Sequence, residues 1–395
     1  MHNLLYTRSI VIVFCIFLVS CQSTVIPVAV LPLNTDLYLD KNFENHELSE
    51  IETEEEVFAL DDEMKLMVSE NLLSVRAPNK RAKKLLRHLF SKDNIDLAYQ
   101  SAANLTATEA YHSQTANCMS LTIMAYALAK EAGLDVKFQD VKVPEYWVRN
   151  GQYNLLTGHV NLILTEAKEP NKTVIYGREL LQIDFDPGIY KKSFPKRIIN
   201  KNTVLAMFYN NKGAHELINK NYSLAYSYIK QATIADPTFS SAWGNLGILY
   251  KLTDLTEYAQ KAYEYAVQLD GNNLTALSNL SFLLENNKDF EQAKKIERML
   301  HEKRIKNPYY HALLADEAFF RGENNKALNH YKRAIRMDKK VHEFYFGLAK
   351  VYYTLGEIER AESAMNKALA YNKASSIESQ YSAKLNFLKS LAMND

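Results

Sequence analysis

Glycine and proline are scarce in this 395-residue chain, with 12 and 9 residues respectively. So few breakers argue against a loop-rich β protein and against long disordered stretches, so helix should dominate. An excess of one charge is also missing. Forty-seven Lys plus Arg face 46 Asp plus Glu, a formal net of +1, which leaves no global field to draw the chain onto nucleic acid. No nucleic-acid partner is expected. The apolar run from Ile10 to Val19 is too short to span a bilayer stably and has the length of a signal-peptide core. A Gly-rich phosphate loop, paired-Cys zinc spacing and a His-Glu-x-x-His arrangement are all absent, so neither a cofactor nor a metal is expected. What is abundant is apolar: 47% hydrophobic and 11% aromatic residues supply large cores, and the length allows two or three domains.

Cysteine is the scarcest chemistry-bearing residue, and its three positions decide the compartment. Leu18-Val19-Ser20-Cys21 resembles the bacterial lipobox, in which the Cys is acylated and opens the mature chain. That resemblance implies a signal peptide over 1–20 and lipidation at Cys21. Gln22 and Ser23, rather than Asp, follow, which by resemblance to bacterial sorting rules implies a Gram-negative outer membrane, with the chain on its periplasmic face. Each buried acyl CH₂ adds about 0.8 kcal/mol, so several chains on one Cys anchor firmly. Cys15 leaves with the signal peptide and Cys21 is taken, which makes Cys118 the one free thiol of the mature chain and excludes an intramolecular disulfide. Residues 21–60, with Pro27, Pro32 and the acidic stretch from Glu47 to Glu56, read as a flexible acidic tether.

From Asp61 helical spacing sets in, with Met64, Met67, Val68 and Leu72, then Leu85, Leu86 and Leu89 beyond Pro78. Starting at Ala206 the chain repeats itself every 34 residues. Small residues and rings recur in fixed phase: Trp243, Gly247, Tyr250, Ala259 and Ala266 in the second unit answer to Tyr345, Ala349, Tyr352, Ala361 and Ala368 in the fifth. The small residues let two antiparallel helices approach closely, and the rings fill the space beside them. This pattern resembles the tetratricopeptide repeat, with departures at Glu216 and in the weak third unit. Five repeats are expected over 206–375, with a capping helix over 376–395 to hide the last apolar face. The resemblance implies a concave groove that holds a protein or peptide partner.

Residues 61–200 follow a different grammar. Cys118 stands at the head of an apolar helical run that Gly133 ends, where backbone amides and the helix dipole favour thiolate and are placed to stabilise an oxyanion. His159 opens an alternating strand (Val160, Leu162, Leu164), and a second strand (Leu181, Ile183, Phe185) carries Asp184 and Asp186. Two antiparallel strands would thus bring an imidazole and a carboxylate together, as a thiol nucleophile requires. Gln114 is a candidate for the oxyanion hole, Tyr146 and Trp147 for a loop lining a cleft, and His112 for a decoy near Cys118.

These segments, NCMSLTIMAYALAKEAGLDV, GHVNLIL and LQIDFDP, resemble the transglutaminase-like superfamily of papain-like Cys-His-Asp enzymes, over roughly residues 85–190. The resemblance implies Cys118 as nucleophile, His159 as base and one Asp to hold the ring. Asp184 has the closer spacing to His159, and Asp186 precedes Pro187 as in some relatives. Met119 stands where relatives often have Trp. The expected architecture is an α+β transglutaminase-like domain followed by an all-α tetratricopeptide-repeat solenoid, mainly α overall. The expected function is thiol-dependent hydrolysis of an amide or peptide by a lipid-anchored periplasmic enzyme. The alternative is a catalytically inactive adaptor acting through its repeats.

Overall fold

The computed structural model describes residues 33–46, 50–90, 98–99, 104–113, 115–150, 153–165, 179–185, 194–372 and 375–392. The expected signal peptide and Cys21 lie outside them. Residues from Leu33 to Asp395 form one compact unit, in which helices predominate.

Local chemistry accounts for the first elements. Thr53 and Glu56 form a reciprocal capping box at α1 (Glu54–Val57), and the Asp61 carboxylate accepts from Met64 N (2.9 Å) to open α2 (Asp62–Val68). The expected apolar stripe is buried at Met64, Met67, Val68 and Leu72. Pro78 does more than separate two clusters. It heads α3 (Pro78–Phe90), where its fixed φ suits a first turn and its missing N–H costs nothing. Next come β1 (Ala98–Tyr99), α4 (Ala107–His112), β2 (Thr115–Ala116) and α5 (Cys118–Glu131). Gly133, at φ +66°, ends α5, and Leu134 N returns to Ala129 O (3.0 Å) to satisfy a last-turn carbonyl.

An antiparallel sheet follows, built from β3 (Asp135–Val141), β6 (Val160–Thr165), β7 (Glu179–Ile183) and β8 (Lys196–Ile199) in the order β7-β6-β3-β8. Between β3 and β6 the chain makes a hairpin of β4 (Tyr146–Asn150) and β5 (Tyr153–Thr157). Tyr146 and Trp147 therefore sit on a strand, paired with Thr157 and Leu156, and not in the loop expected from sequence.

Five helix pairs come next: α6 (Lys201–Ile218) with α7 (Tyr222–Ala235), α8 (Ser240–Leu252) with α9 (Thr256–Leu269), α10 (Leu274–Asn286) with α11 (Phe290–Arg304), α12 (Pro308–Phe320) with α13 (Asn324–Met337), and α14 (His342–Thr354) with α15 (Ile358–Tyr371). The last helix, α16 (Ser375–Ala392), packs Tyr381, Leu385 and Leu388 onto the fifth pair. From the second pair onward the starts are spaced 34 residues apart, at Ser240, Leu274, Pro308 and His342. The first helix starts at Lys201, ahead of Ala206, because the Asn200 side chain caps it by accepting from Thr203 N (2.7 Å).

The small residues do the packing expected of them. A Cβ added to Gly213 would lie 2.6 Å from Ile229 Cγ1, and one added to Gly247 would lie 2.5 Å from the Tyr263 ring, each across its own helix pair. In the second, fourth and fifth pairs a ring in the first turn of the first helix also reaches backwards. Trp243 Nε1 donates to Pro237 O (2.9 Å), Tyr345 Oη to Lys339 O (3.0 Å), and His311 Nε2 bonds Ile305 O (3.0 Å), six residues upstream in every case. Each ring thereby locks its helix to the turn before it.

Packing crosses both expected boundaries. The buried residues of the sheet region and of the first helix pair, such as Phe138, Leu162, Phe208 and Tyr209, belong to one cluster, so the two regions share a core. Residues 33–60 are not a free tether in their described part. Leu37 and Phe43 are buried among Tyr226, Trp243 and Tyr250, while the acidic stretch meets lysines: Lys212 Nζ lies 2.8 Å from Glu52 Oε1, and Lys201 Nζ 2.8 Å from Glu54 Oε1. Apolar residues spaced through an acidic stretch, facing bases on the first helix pair, explain why it folds back.

Gly247→Ala should destabilise the chain by about 1–3 kcal/mol despite alanine's better helix propensity, because the fully buried Tyr263 ring leaves no room. Gly271→Ala, with nothing within 4 Å of the added Cβ, should leave the melting temperature near that of the parent. Thermal unfolding of the two variants side by side measures the difference.

Candidate functional site

Helix α5 begins at Cys118 because Asn117 caps it: the Asn117 Oδ1 accepts from Ser120 N (2.8 Å) and Ser120 Oγ (3.0 Å). Ser120 Oγ in turn accepts from Leu105 N (2.7 Å), which pins the first turn to the chain ahead of α4. One turn further on, Thr122 Oγ1 donates to Val160 O (3.2 Å). Residues four apart share a helix face. A tie from Thr122 to residue 160 therefore sets Cys118 beside residue 159. Cys118 is buried, with 8% of its surface exposed.

His159 sits just ahead of β6, and its carbonyl accepts from Val141 N (2.9 Å), extending the β3–β6 ladder to the histidine itself. Asp184 follows directly on β7. The register pairs Leu162 with Ile183, which brings the residues flanking them, Asn161 and Asp184, together across the sheet. His159 Nε2 bonds Asp184 Oδ1 at 2.9 Å, and the two side chains are 0% and 3% exposed. The second carboxylate oxygen accepts from Asn161 Nδ2 (3.2 Å) and Gln182 Nε2 (3.4 Å). With Nε2 held by the carboxylate, Nδ1 is the ring nitrogen left for the sulfur. It is buried and makes no conventional hydrogen bond, while Cys118 lies within interacting range of the ring.

Electrostatics follow from this sandwich. Burial alone would depress the imidazole's proton affinity. The Asp184 hydrogen bond and the Cys118 sulfur, helped by the charge of each, outweigh burial and raise its pKa to about 9. At neutral pH the ring carries its proton.

The structure thus brings Cys118, His159 and Asp184 together and leaves His112 apart, its Nε2 bonded to Asp61 Oδ2 at 2.5 Å. Asp186, Gln114 and Cys21 lie outside the described residues. Sequence reasoning missed Asn161 and Gln182 as partners of the carboxylate. Their signal was present: in a period-2 strand His159 and Asn161 share a face, as do Gln182 and Asp184.

Among known families, a TPR repeat matches residues 315–356 and a tetratricopeptide repeat matches residues 342–375, so the two matches cover most of the last two helix pairs. The C-terminal part of the chain carries tetratricopeptide repeats. Human Protein O-mannosyl-transferase TMTC3 is 28% identical over 191 residues, 44% of this chain and 20% of that protein. A UDP-N-acetylglucosamine-peptide N-acetylglucosaminyltransferase of Giardia intestinalis is 29% identical over 175 residues, 38% of this chain and 11% of that protein. The chain spans about a fifth or less of the length of these curated relatives. Among solved structures, Pseudomonas aeruginosa pilF aligns over 48% of this chain and 87% of its own, at 15% identity and a TM-score of 0.30. A thermophilic TPR protein of Thermus thermophilus aligns over 46% of this chain and 98% of its own, at 18% identity and a TM-score of 0.31.

The raised pKa gives stability a definite pH dependence. A folded value of about 9 against an unfolded value near 6.5 means that the contribution is complete below pH 6.5 and disappears as pH rises through 9. Its full size is on the order of 3 kcal/mol. Melting temperatures recorded from pH 6 to 10 should fall across that window in the parent chain and fall much less in Asp184→Asn.

Proposed function

We propose that the chain is a partner-binding scaffold whose repeats hold a segment of another protein. The observation that carries this reading is the run of five helix pairs, on which Phe282, Phe290 and Phe320 stand 52%, 60% and 76% exposed. Large rings presented to solvent on neighbouring elements are what a protein-binding surface offers. Lipidation of Cys21, and with it attachment to the periplasmic face of an outer membrane, belongs to the same proposal and rests on the residues from Leu18 to Cys21.

One observation favours a second reading, in which the region ahead of the repeats is a transglutaminase-like thiol enzyme: the imidazole of His159 is hydrogen-bonded to a carboxylate and interacts with the Cys118 sulfur. In this reading the Cys118 thiolate attacks an amide carbonyl carbon. The C–N bond breaks as His159 gives its proton to the departing amine, leaving a thioester. Water then adds, losing a proton to His159, and a carboxylic acid departs as the thiolate returns. The first-turn amides of α5 that helix geometry leaves outside the ladder supply donors for the oxyanion. Hydrolysis fits this site better than amine transfer, which needs water excluded from the thioester.

The two readings are tested separately. A photo-crosslinking residue placed at 282 or 320 in cells should give one discrete protein adduct, whereas no adduct at either position would overturn the scaffold reading. For the enzyme reading, iodoacetamide should label Cys118 rapidly at pH 6, and Cys118→Ala should abolish labelling at an unchanged melting temperature. Labelling that begins only above about pH 8 would leave a relic site.

A further inference from the structure

Residues 33–46 meet the repeats as a bound peptide meets its receptor. They include two single turns of 3-10 helix, Thr35–Leu37 and Asp40–Asn42, and lie nearly 200 residues from the side chains that hold them. Several of those contacts go to the segment's backbone. Tyr226 Oη accepts from Leu39 N (2.9 Å), Tyr250 Oη donates to Leu37 O, and Ser227 Oγ donates to His46 O (2.7 Å). Backbone contacts hold an extended chain whatever its side chains are. Two side chains of the segment are held as well, Phe43 and Asp40. Phe43, 3% exposed, stacks on Tyr226 with ring centroids 4.4 Å apart. Asp40, three residues earlier, accepts from both Tyr226 Oη (2.7 Å) and Lys230 Nζ (2.6 Å).

We propose that this face of the first two helix pairs is a peptide-recognition site, filled here by the chain's own segment. In trans it takes an extended segment of a partner protein that carries an aspartate three residues ahead of a phenylalanine. The proposal rests on the reading of the repeats as partner binders and names the partner's chemistry. Exchange is feasible because no strand pairing and no long helix must break, and the Asp40 side chain remains 44% exposed in its ion pair. The covalent connection gives the cis segment an effective concentration in the millimolar range, so a free peptide competes poorly until the cis contacts are weakened.

The test is a titration of the full chain with a fluorescent peptide of residues 33–46, read by anisotropy. The double variant Asp40→Asn, Phe43→Ala should bind the peptide at least tenfold more tightly than the parent. Adding Tyr226→Phe, which removes the hydroxyl that holds Leu39 N and Asp40, should cost at least tenfold again. Equal affinity for parent and double variant, or binding by neither, would overturn the proposal. Hydrogen exchange on the unmutated chain decides the matter even if the variants fail to fold. Amides of residues 35–43 should exchange at least a hundredfold faster than those of Leu246 and Leu249 in α8, and exchange at the rate of α8 would make the segment a fixed part of the core. Crosslinking from residues 282 and 320 reports on other helix pairs, so loss of this site leaves the scaffold reading standing.

Discussion

The close approach of two antiparallel helices is the constraint on which the rest of the chain depends. Where Gly213 meets Ile229 and Gly247 meets Tyr263, no Cβ fits, and the helices of a pair come together along a seam of small residues. Removing that seam would cost buried area within the pair and against the elements packed on it. The 34-residue register is the linear trace of this contact. The first pair also completes the core of the sheet region, with Phe208 and Tyr209 packed into the same cluster as Phe138 and Leu162, so the array supports the site as well as its own stack.

Within that support, the chemistry is concentrated on one buried ring. A histidine whose side chain is 0% exposed would ordinarily give up its proton, since water is no longer there to stabilise the charge. Here the Asp184 carboxylate takes water's place and is itself held by Asn161 and Gln182. Orienting a ring by a carboxylate that has further donors is what distinguishes a positioned imidazole from an incidental contact. The same arrangement serves either reading, as acid and base for a thiol enzyme or as a rigid polar plug in a binding domain.

The array grips the chain ahead of it at separate places. Tyr209 Oη, Lys212 Nζ and Tyr228 Oη converge on Glu52, at 2.6, 2.8 and 3.0 Å. Arg304 Nε and Nη2 bond both oxygens of Glu145 at 2.9 and 3.2 Å, and Asn307 Nδ2 donates to Glu145 O at 2.6 Å. Glu145 immediately precedes the β4–β5 hairpin, which runs on through Gly158 to His159. The third helix pair and the candidate site therefore share one continuous stretch of backbone, and the residues of the repeats that look inert in sequence set where that stretch begins.

Much of this was legible in the residues. Burial has a period, so Met64, Met67, Val68 and Leu72 announced a helix, and rings and small residues at fixed phase announced the repeats. The alternation around Leu162 and Ile183 put His159 and Asp184 on neighbouring strands because side-chain direction in a strand is a local property. What the residues left undecided are matters of distance across the chain. Acidic, proline-bearing segments look solvated when read alone, and only the lysines of α6 and the aromatic face of α7 and α8 turn residues 33–60 into packed structure. The left-handed turn between the helices of each pair falls at Lys220, Asp254, Lys288, Gly322 and Gly356, where three of the five side chains give no sign of it. The sequence by itself determined the periodicities, the helix caps and the order of Cys, His and Asp. Only the tertiary structure decided which carboxylate meets the imidazole and what the acidic segment touches, because pairing between distant residues depends on register and packing that no local pattern contains.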